Sequence, residues 1–300
     1  KNHSMATIFT HPNSHPYDSG IIAADREGVV TGWLTKEEEK KWYKNRVNAG
    51  LHLLSAKLLD QFETPEKRDL DRDILKPLIA ERQLYVYDSP EYVKDMGTPD
   101  RYYSVEGDIK SGLVEKRNLS VKQKAIFLDR DGTINKYVGF LKDIDHFELL
   151  GGVAQAVRMI NRSGYLAIVI TNQPVIARGE VSWEELEEIH NKMETLLGNS
   201  GAYIDDIFCC PHHPDQGFVG ERKEYKKVCE CRKPKPGLLL QAAQKYNIDL
   251  GNSWMAGDSM GDMEAGRRAG CKVVYLGDEK AEGELTAPDL LEGIKLILAL

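Results

Sequence analysis

The order of apolar and polar positions gives the two parts of this chain different textures. From residue 122 onward, short apolar runs alternate with segments of helical period. "KAIFLD" (124 to 129), "YLAIVIT" (165 to 171), "YIDDIFCC" and "SWMAGD" (253 to 258) read as strands, with "CKVVYLGD" as the final one. Between them "GGVAQAVRMINRSG" reads as a helix with a glycine stop, and Ser182-x-x-Glu185 as a capping box that opens the helix "WEELEEIHNKMETLLG". Pro236 starts the helix "GLLLQAAQKY", "MEAGRRAG" is another, and the apolar tail "LLEGIKLILAL" predicts a terminal core helix. Such alternation argues an α/β fold, a parallel sheet wrapped by helices on both faces. In these sheets chemistry sits beyond the carboxyl ends of the strands.

Residues 1 to about 103 hold shorter strand-like runs broken by turns: "MATIFTH", "GIIAADREGVVTGWL" with a turn at Gly28, "RVNAGLHLLS" and "RQLYVYD". "DRDILKPLIAE" carries a helical pattern, and Thr98-Pro99 has the cap-then-proline form that starts a helix through "DRYYSVEGDIKSG". The polar stretch "LVEKRNLSVKQ" (113 to 123) marks a boundary, giving units 1–118 and 122–300.

Composition narrows the function classes. With 41% hydrophobic and 29% charged residues, 300 residues can build two globular cores. No run approaches the ~18 apolar residues of a membrane span and no secretory pattern opens the sequence, so a cytoplasmic protein without a membrane partner is expected. A formal net charge of -7 argues against nucleic acid as a partner, because phosphate backbones select basic faces. Small anionic substrates are compatible, since a few local Arg and Lys side chains overrule a mildly acidic whole.

Four of the five cysteines crowd into residues 209 to 231, and an odd total without a secretory signal argues against a disulfide framework. Cys210-x-His212, then sixteen residues, then Cys229-x-Cys231 supplies two short ligand pairs of the kind that close a tetrahedral zinc site. His213 or Cys209 could substitute for a neighbour, and the alternative to a metal is a loop with a few buried thiols. The intervening "PDQGFVGERKEYKK" is too polar to make a core unaided, which favours zinc.

The expected strand ends carry chemistry. The first stops at Asp129, Asp131, Gly132 and Thr133, the second at Thr171-Asn172-Gln173; the cysteine segment delivers Arg232-Lys233-Pro234, and "GDSMGD" adds Asp258 and Asp262. Carboxylates converging on one crevice repel each other unless a cation lies between them, and oxygen-only ligands favour Mg2+. A hydroxyl and an ammonium beside that cation suit a phosphoryl group. One carboxylate can then act as nucleophile while a second, two residues on, moves the proton.

At these residues the sequence resembles the haloacid dehalogenase-like (HAD) phosphotransferases, over about residues 122 to 278. "FLDRDGT", "TNQ", "RKPKPG" and "GDSMGD" look like that family's four motifs in order. The resemblance implies a Rossmann-like sheet, Asp129 as nucleophile and Asp131 as acid/base. It implies Mg2+ on the Asp129 and Asp258 carboxylates and the Asp131 carbonyl, Thr171 and Lys233 on the phosphoryl oxygens, and Asp262 in support. A C-x-H and C-x-C loop running into "RKPKPG" resembles the heptose 1,7-bisphosphate phosphatases and the related histidinol phosphatases. That likeness implies a structural zinc on Cys210, His212, Cys229 and Cys231, a sugar bisphosphate substrate, and substrate contacts from Asn172, Gln173, Arg178 and Arg232.

Residues 1–118 resemble the carboxy-terminal part of sugar-phosphate nucleotidyltransferases, through "HPNSHPYDSG", "NRVNAGLHLL", "DLDRDILKPLI" and "SPEYVKDMGTPDRY". Asp95 would then be a vestige of a metal site and Asn48 to Gly50 a sugar-facing stretch. No glycine-rich phosphate loop lies in residues 1–118, so no nucleotidyl transfer is expected, and a half domain should expose apolar surface and self-associate. The likeness to heptose 1-phosphate guanylyltransferases implies a GDP-heptose route and the α anomer. The rival readings are a histidinol phosphatase and a nucleotide-sugar binding or assembly module with an inactive phosphatase half.

Overall fold

In a computed structural model that describes residues 4–16, 20–35, 42–61, 66–277 and 285–300, the strands fall into two sheets. The first is mixed and has the order β3-β2-β4-β1-β5, with β1 Ala6–His11, β2 Ile21–Ala24, β3 Val30–Leu34, β4 Val47–Leu54 and β5 Leu84–Asp88. β1 runs antiparallel to β4 and parallel to β5. Gly28 turns the β2–β3 hairpin at a φ of 81°, a left-handed value that costs glycine little. The one-turn helices α1, Ala56–Leu59, and α2, Pro77–Ala80, flank a π-helical segment, Leu70–Leu75, where "DRDILKPLIAE" predicts a helix. They press Leu58, Leu75 and Leu78 onto Ala6, Ile8, Ile22, Val30 and Leu84 on one face of the sheet. On the other face Leu53, Leu51 and Tyr87 stay 75%, 63% and 56% exposed.

Helix α3, Pro99–Lys110, starts as expected, with Thr98 Oγ1 accepting from the Arg101 N–H. The stretch read as a polar boundary is more structured than that reading implies. It contains α4, Leu113–Lys116, and a buried Arg117 that pairs with Asp205 at 2.7 Å and donates to the Tyr165 carbonyl. A polar pattern does not distinguish a solvated charge from one buried with a partner.

The second sheet has six strands in the order β11-β10-β9-β6-β7-β8, every pair parallel: β6 Lys124–Leu128, β7 Tyr165–Asn172, β8 Asp206–Cys210, β9 Trp254–Gly257, β10 Lys272–Leu276 and β11 Leu285–Ala287. β11 corrects the expectation that "CKVVYLGD" is the last strand; three residues are too few to show a period. Helices α5 Val153–Ser163, α6 Trp183–Gly198 and, from the apolar tail, α9 Leu290–Ala299 cover one face. Helices α7 Gly237–Tyr246 and α8 Met260–Ala269 cover the other. Along β6, Ala125 and Phe127 enter one core and Ile126 and Leu128 the opposite one, which is why its sequence reads as a continuous apolar run.

The two sheets meet at α6. The Tyr43 N–H donates to Thr195 Oγ1 at 2.9 Å and the Asn45 N–H to the Glu194 carboxylate at 2.8 Å. Arg46, buried, pairs with Asp88 at 2.7 Å, reaches Glu194 at 3.4 Å and donates to the Asp205 carbonyl. No described helix is long and apolar enough to cross a membrane.

Candidate active site

The buried strand β6 ends at Leu128 and projects Asp129 beyond the sheet, where its N–H donates to the Ala256 carbonyl of β9. The carboxylates of Asp129, Asp258 and Asp262 lie within 4.8 Å of one another. Asp262 is held by a capping box at the start of α8, accepting from Ser259 N and Oγ at 3.2 and 2.6 Å. Gly132 makes room for this group: a Cβ there would lie 2.0 Å from Asp258 Oδ2, and its φ is 94°. Residues far apart in sequence therefore converge because two neighbouring parallel strands, β6 and β9, end side by side.

Lys233 enters the same crevice from the cysteine segment. Its ammonium pairs with Asp129 and with Asp262 (2.6 Å) and donates to the Ile170 carbonyl (2.8 Å). Burial opposes its charge, but Asp129 and Asp262 outweigh that and hold the lysine above its usual pKa. Burial pushes the Asp129 carboxyl up to about 7 despite the pull of Lys233, and Asp262 adds repulsion. Asp258 is raised as well, by burial and by Asp262. One ammonium does not balance three carboxylates, so this donor set fits a divalent, oxygen-seeking cation such as Mg2+.

Asp131 lies outside that carboxylate group. Its carboxylate accepts from Arg130 at 2.8 Å, Asn135 Nδ2 at 3.0 Å and Gln173 Nε2 at 2.7 Å. Burial would raise its pKa; the Arg130 guanidinium, with Asn135 and Gln173, reverses this and holds it below the ordinary carboxylate range. Arg130 is fully buried and also touches His190 Nε2 of α6 at 3.1 Å. Burial, helped by Arg130, lowers the His190 imidazole to about 3 and keeps it neutral. Sequence reasoning missed Arg130, Asn135 and His190; the signal available in the sequence was the position of Arg130 between the two aspartates.

Thr171 is buried, with Oγ1 accepting from Gln173 Nε2 at 2.8 Å. Asn172 and Gln173, expected to face substrate, line the same crevice and are also hydrogen-bonded to protein. Asn172 donates to the Lys233 carbonyl and accepts from the Lys233 N–H, both at 3.1 Å, which ties the lysine segment to the end of β7. A cleft of about 390 Å³ opens over Asp129, Asp131, Thr171, Lys233 and Asp258, with Arg232 on its wall and Tyr137 and Phe140 at the same opening. Arg178 stacks between Phe140 and Phe218, its guanidinium carbon 3.9 and 4.5 Å from the ring centroids, and its buried Nε has no hydrogen-bond partner. Asp95 is exposed, pairs with Arg101 and accepts from the Gly97 N–H, and it belongs to no group of three or more metal-ligating side chains among the described residues.

Cys210, His212, Cys229 and Cys231 form the second such group. The three sulfurs lie 3.1 to 3.6 Å apart and His212 Nδ1 is 3.2 and 3.7 Å from Cys231 and Cys210. Zinc–sulfur bonds of about 2.3 Å in a tetrahedron require sulfur separations of about 3.7 Å, so the cluster suits that ion with slight expansion. The alternatives left open by spacing point elsewhere: Cys209 packs with Val175, Ile176 and Val181, and the His213 ring lies 3.6 Å from Asp215.

Comparisons with known proteins agree with this geometry. The HAD-hydrolase-like family model matches residues 230–291, which include Lys233, Asp258 and Asp262. The D-glycero-beta-D-manno-heptose-1,7-bisphosphate 7-phosphatase of Yersinia pestis is 41% identical over 174 residues, 57% of this chain and 90% of the relative. The enzyme of the same name from Escherichia coli K12 is 44% identical over 152 residues, 50% of this chain and 78% of the relative. Among solved structures, the D,D-heptose 1,7-bisphosphate phosphatase of B. bronchiseptica, complexed with magnesium and phosphate, superposes with a TM-score of 0.52 at 32% identity, covering 59% of this chain and 99% of its own. The chain belongs to the HAD-like phosphatases of the heptose 1,7-bisphosphate phosphatase type.

Proposed function

We propose that this chain removes the 7-phosphate of D-glycero-D-manno-heptose 1,7-bisphosphate through a phosphoaspartate on Asp129. The observation that carries the reading is the convergence of Asp129, Asp258, Asp262 and Lys233 at the carboxyl edge of the parallel sheet, with Asp131 and Thr171 in the same cleft. An Asp129 oxygen attacks phosphorus and the bond to the 7-oxygen breaks, while Asp131, ionised at rest beside Arg130 and protonated as the anionic phosphate binds next to it, donates that proton to the 7-oxygen. Water then attacks the acyl phosphate, Asp131 takes its proton, and phosphate leaves with Asp129 restored. Lys233 and Thr171 hold phosphoryl oxygens. Mg2+, held by Asp129, Asp258 and the Asp131 carbonyl, would supply the positive charge that these carboxylates lack.

Arg178 and Arg232 suit the second, non-reacting phosphate, because a planar guanidinium offers two parallel donors. The aromatic sandwich leaves the end of Arg178 without an ion-pair partner among the described residues. Zinc on Cys210, His212, Cys229 and Cys231 is structural, since four protein ligands leave no open position; it holds the segment that delivers Arg232 and Lys233. Thiolate ligands suit a reducing, cytoplasmic setting. Residues 1–118 form a nucleotidyltransferase-like unit, followed by the phosphatase unit 122–300. The exposed Leu51–Leu53–Tyr87 face makes self-association its expected behaviour.

Phosphate release with Mg2+ from the two heptose bisphosphate anomers, with histidinol phosphate alongside, tests the reading. The likeness of residues 1–118 to guanylyltransferases favours the α anomer, whereas the Yersinia and Escherichia relatives are named for the β anomer. Preference for either anomer keeps the reaction and decides between these two lines. Faster release from histidinol phosphate, or none from any substrate, sinks the reading.

A further inference from the structure

Arg130 separates the two aspartates of the site in sequence, yet its side chain is wholly buried behind the cleft. Its Nε lies 3.2 Å from Asp131 Oδ1, and one terminal nitrogen contacts Oδ1 and Oδ2 at 2.9 and 2.8 Å. The other terminal nitrogen meets His190 Nε2 at 3.1 Å. A guanidinium only donates, so His190 accepts through Nε2 and carries its proton on Nδ1. The imidazole thus fixes the rotation of the guanidinium, and the fork fixes both oxygens of Asp131. Helix α6, which carries His190, is itself anchored one to two turns later by Tyr43 and Asn45 through Thr195 and Glu194.

We propose that Arg130 and His190 are a positioning pair for the Asp131 carboxyl, aligning it with the leaving oxygen. The inference rests on the phosphatase reading and adds two residues that never touch substrate. Asp131 matters most when the leaving group is a poor one. A sugar alkoxide needs the proton as the phosphorus–oxygen bond breaks, whereas an aryl oxide such as p-nitrophenolate departs as the stable anion. Misaligning Asp131 therefore slows the first class of substrate far more than the second.

The experiment compares wild type, His190→Met, His190→Gln and Arg130→Lys on heptose 1,7-bisphosphate and on p-nitrophenyl phosphate. Methionine fills the space without an acceptor of comparable strength, and the glutamine amide oxygen reaches the position of Nε2. His190→Met and Arg130→Lys should lose about 10- to 100-fold in kcat on the sugar bisphosphate, a part of the roughly 100- to 10,000-fold that a general acid contributes, and less than about threefold on the aryl ester. His190→Gln should recover at least about tenfold over His190→Met on the sugar substrate. That rescue decides the question if the aryl ester proves a poor substrate, and Arg130→Lys decides it if His190→Met does not fold. Equal losses on both substrates, no loss on the sugar, or no rescue by glutamine overturns the proposal. Wild-type protein that releases no phosphate from either substrate instead removes the phosphatase reading on which it stands.

Discussion

The two sheets make an instructive pair, because both carry acidic residues within recognisable motifs and only one gathers them. In the parallel sheet, β6, β7 and β9 point the same way, so Asp129, Thr171 and Asp258, more than forty residues apart from one to the next, arrive at one edge. Beyond the last strand of the mixed sheet, the turn that carries Asp95 closes on its own neighbours, Gly97 and Arg101. Their burial differs likewise. Helices cover the parallel sheet on both faces, whereas the mixed sheet has one face packed by short helical pieces and another with exposed leucines and a tyrosine. A motif becomes a site when strand direction brings it to others, and a face becomes a core when something covers it.

The contrast can be broken most forcefully at the convergent edge. Asp129→Asn should lower turnover at least about 1,000-fold while the thermal transition remains; residual turnover near wild type would remove Asp129 as nucleophile. Asp95→Asn should leave phosphatase turnover unchanged, which sharpens the difference between the two acidic motifs.

Four smaller effects follow, three at contacts that hold elements together and one on an open face. Removing Zn2+ from zinc-loaded protein with a chelator, or Cys229→Ser, should lower both melting temperature and turnover, with added Zn2+ restoring both to the chelated protein; retention of both in verified zinc-free protein would refute the structural role. Arg46→Met removes the partner of buried Glu194 and the inner partner of Asp88, so a loss of about 3–5 kcal/mol is expected in denaturant unfolding. Asn172→Ala unties Lys233 from the end of β7 and should cost about 1–3 kcal/mol for the unpaired backbone groups, with a fall in kcat. Smallest of all, Leu53→Thr on the open face should change stability within about 0.5 kcal/mol while reducing association in sedimentation.

Much of the parallel sheet was legible because its signals are local. Apolar runs mark strands buried on both faces, Ser182 and Glu185 form the capping box their spacing announces, and Thr98-Pro99 opens a helix. The cysteine cluster was legible to its four members, although spacing left His213 and Cys209 open. Asn172 and Gln173 were found and line the cleft, but their protein partners were not legible: one ties Lys233, the other joins Asp131 to Thr171. Arg117 was hidden because a buried, paired charge has the same letter as a solvated one.

By itself the sequence determined the alternation of strands and helices, the order of the four motifs and the residue types able to bind phosphate and metal, since these depend on periodicity and on side-chain chemistry. Only tertiary structure decided which carboxylates lie within 4.8 Å of one another, which face of the mixed sheet stays open, and that a histidine 60 residues from Arg130 completes its hydrogen bonding. Those are contacts between elements. Their energies depend on burial and on distances of a few ångströms, which no local pattern encodes.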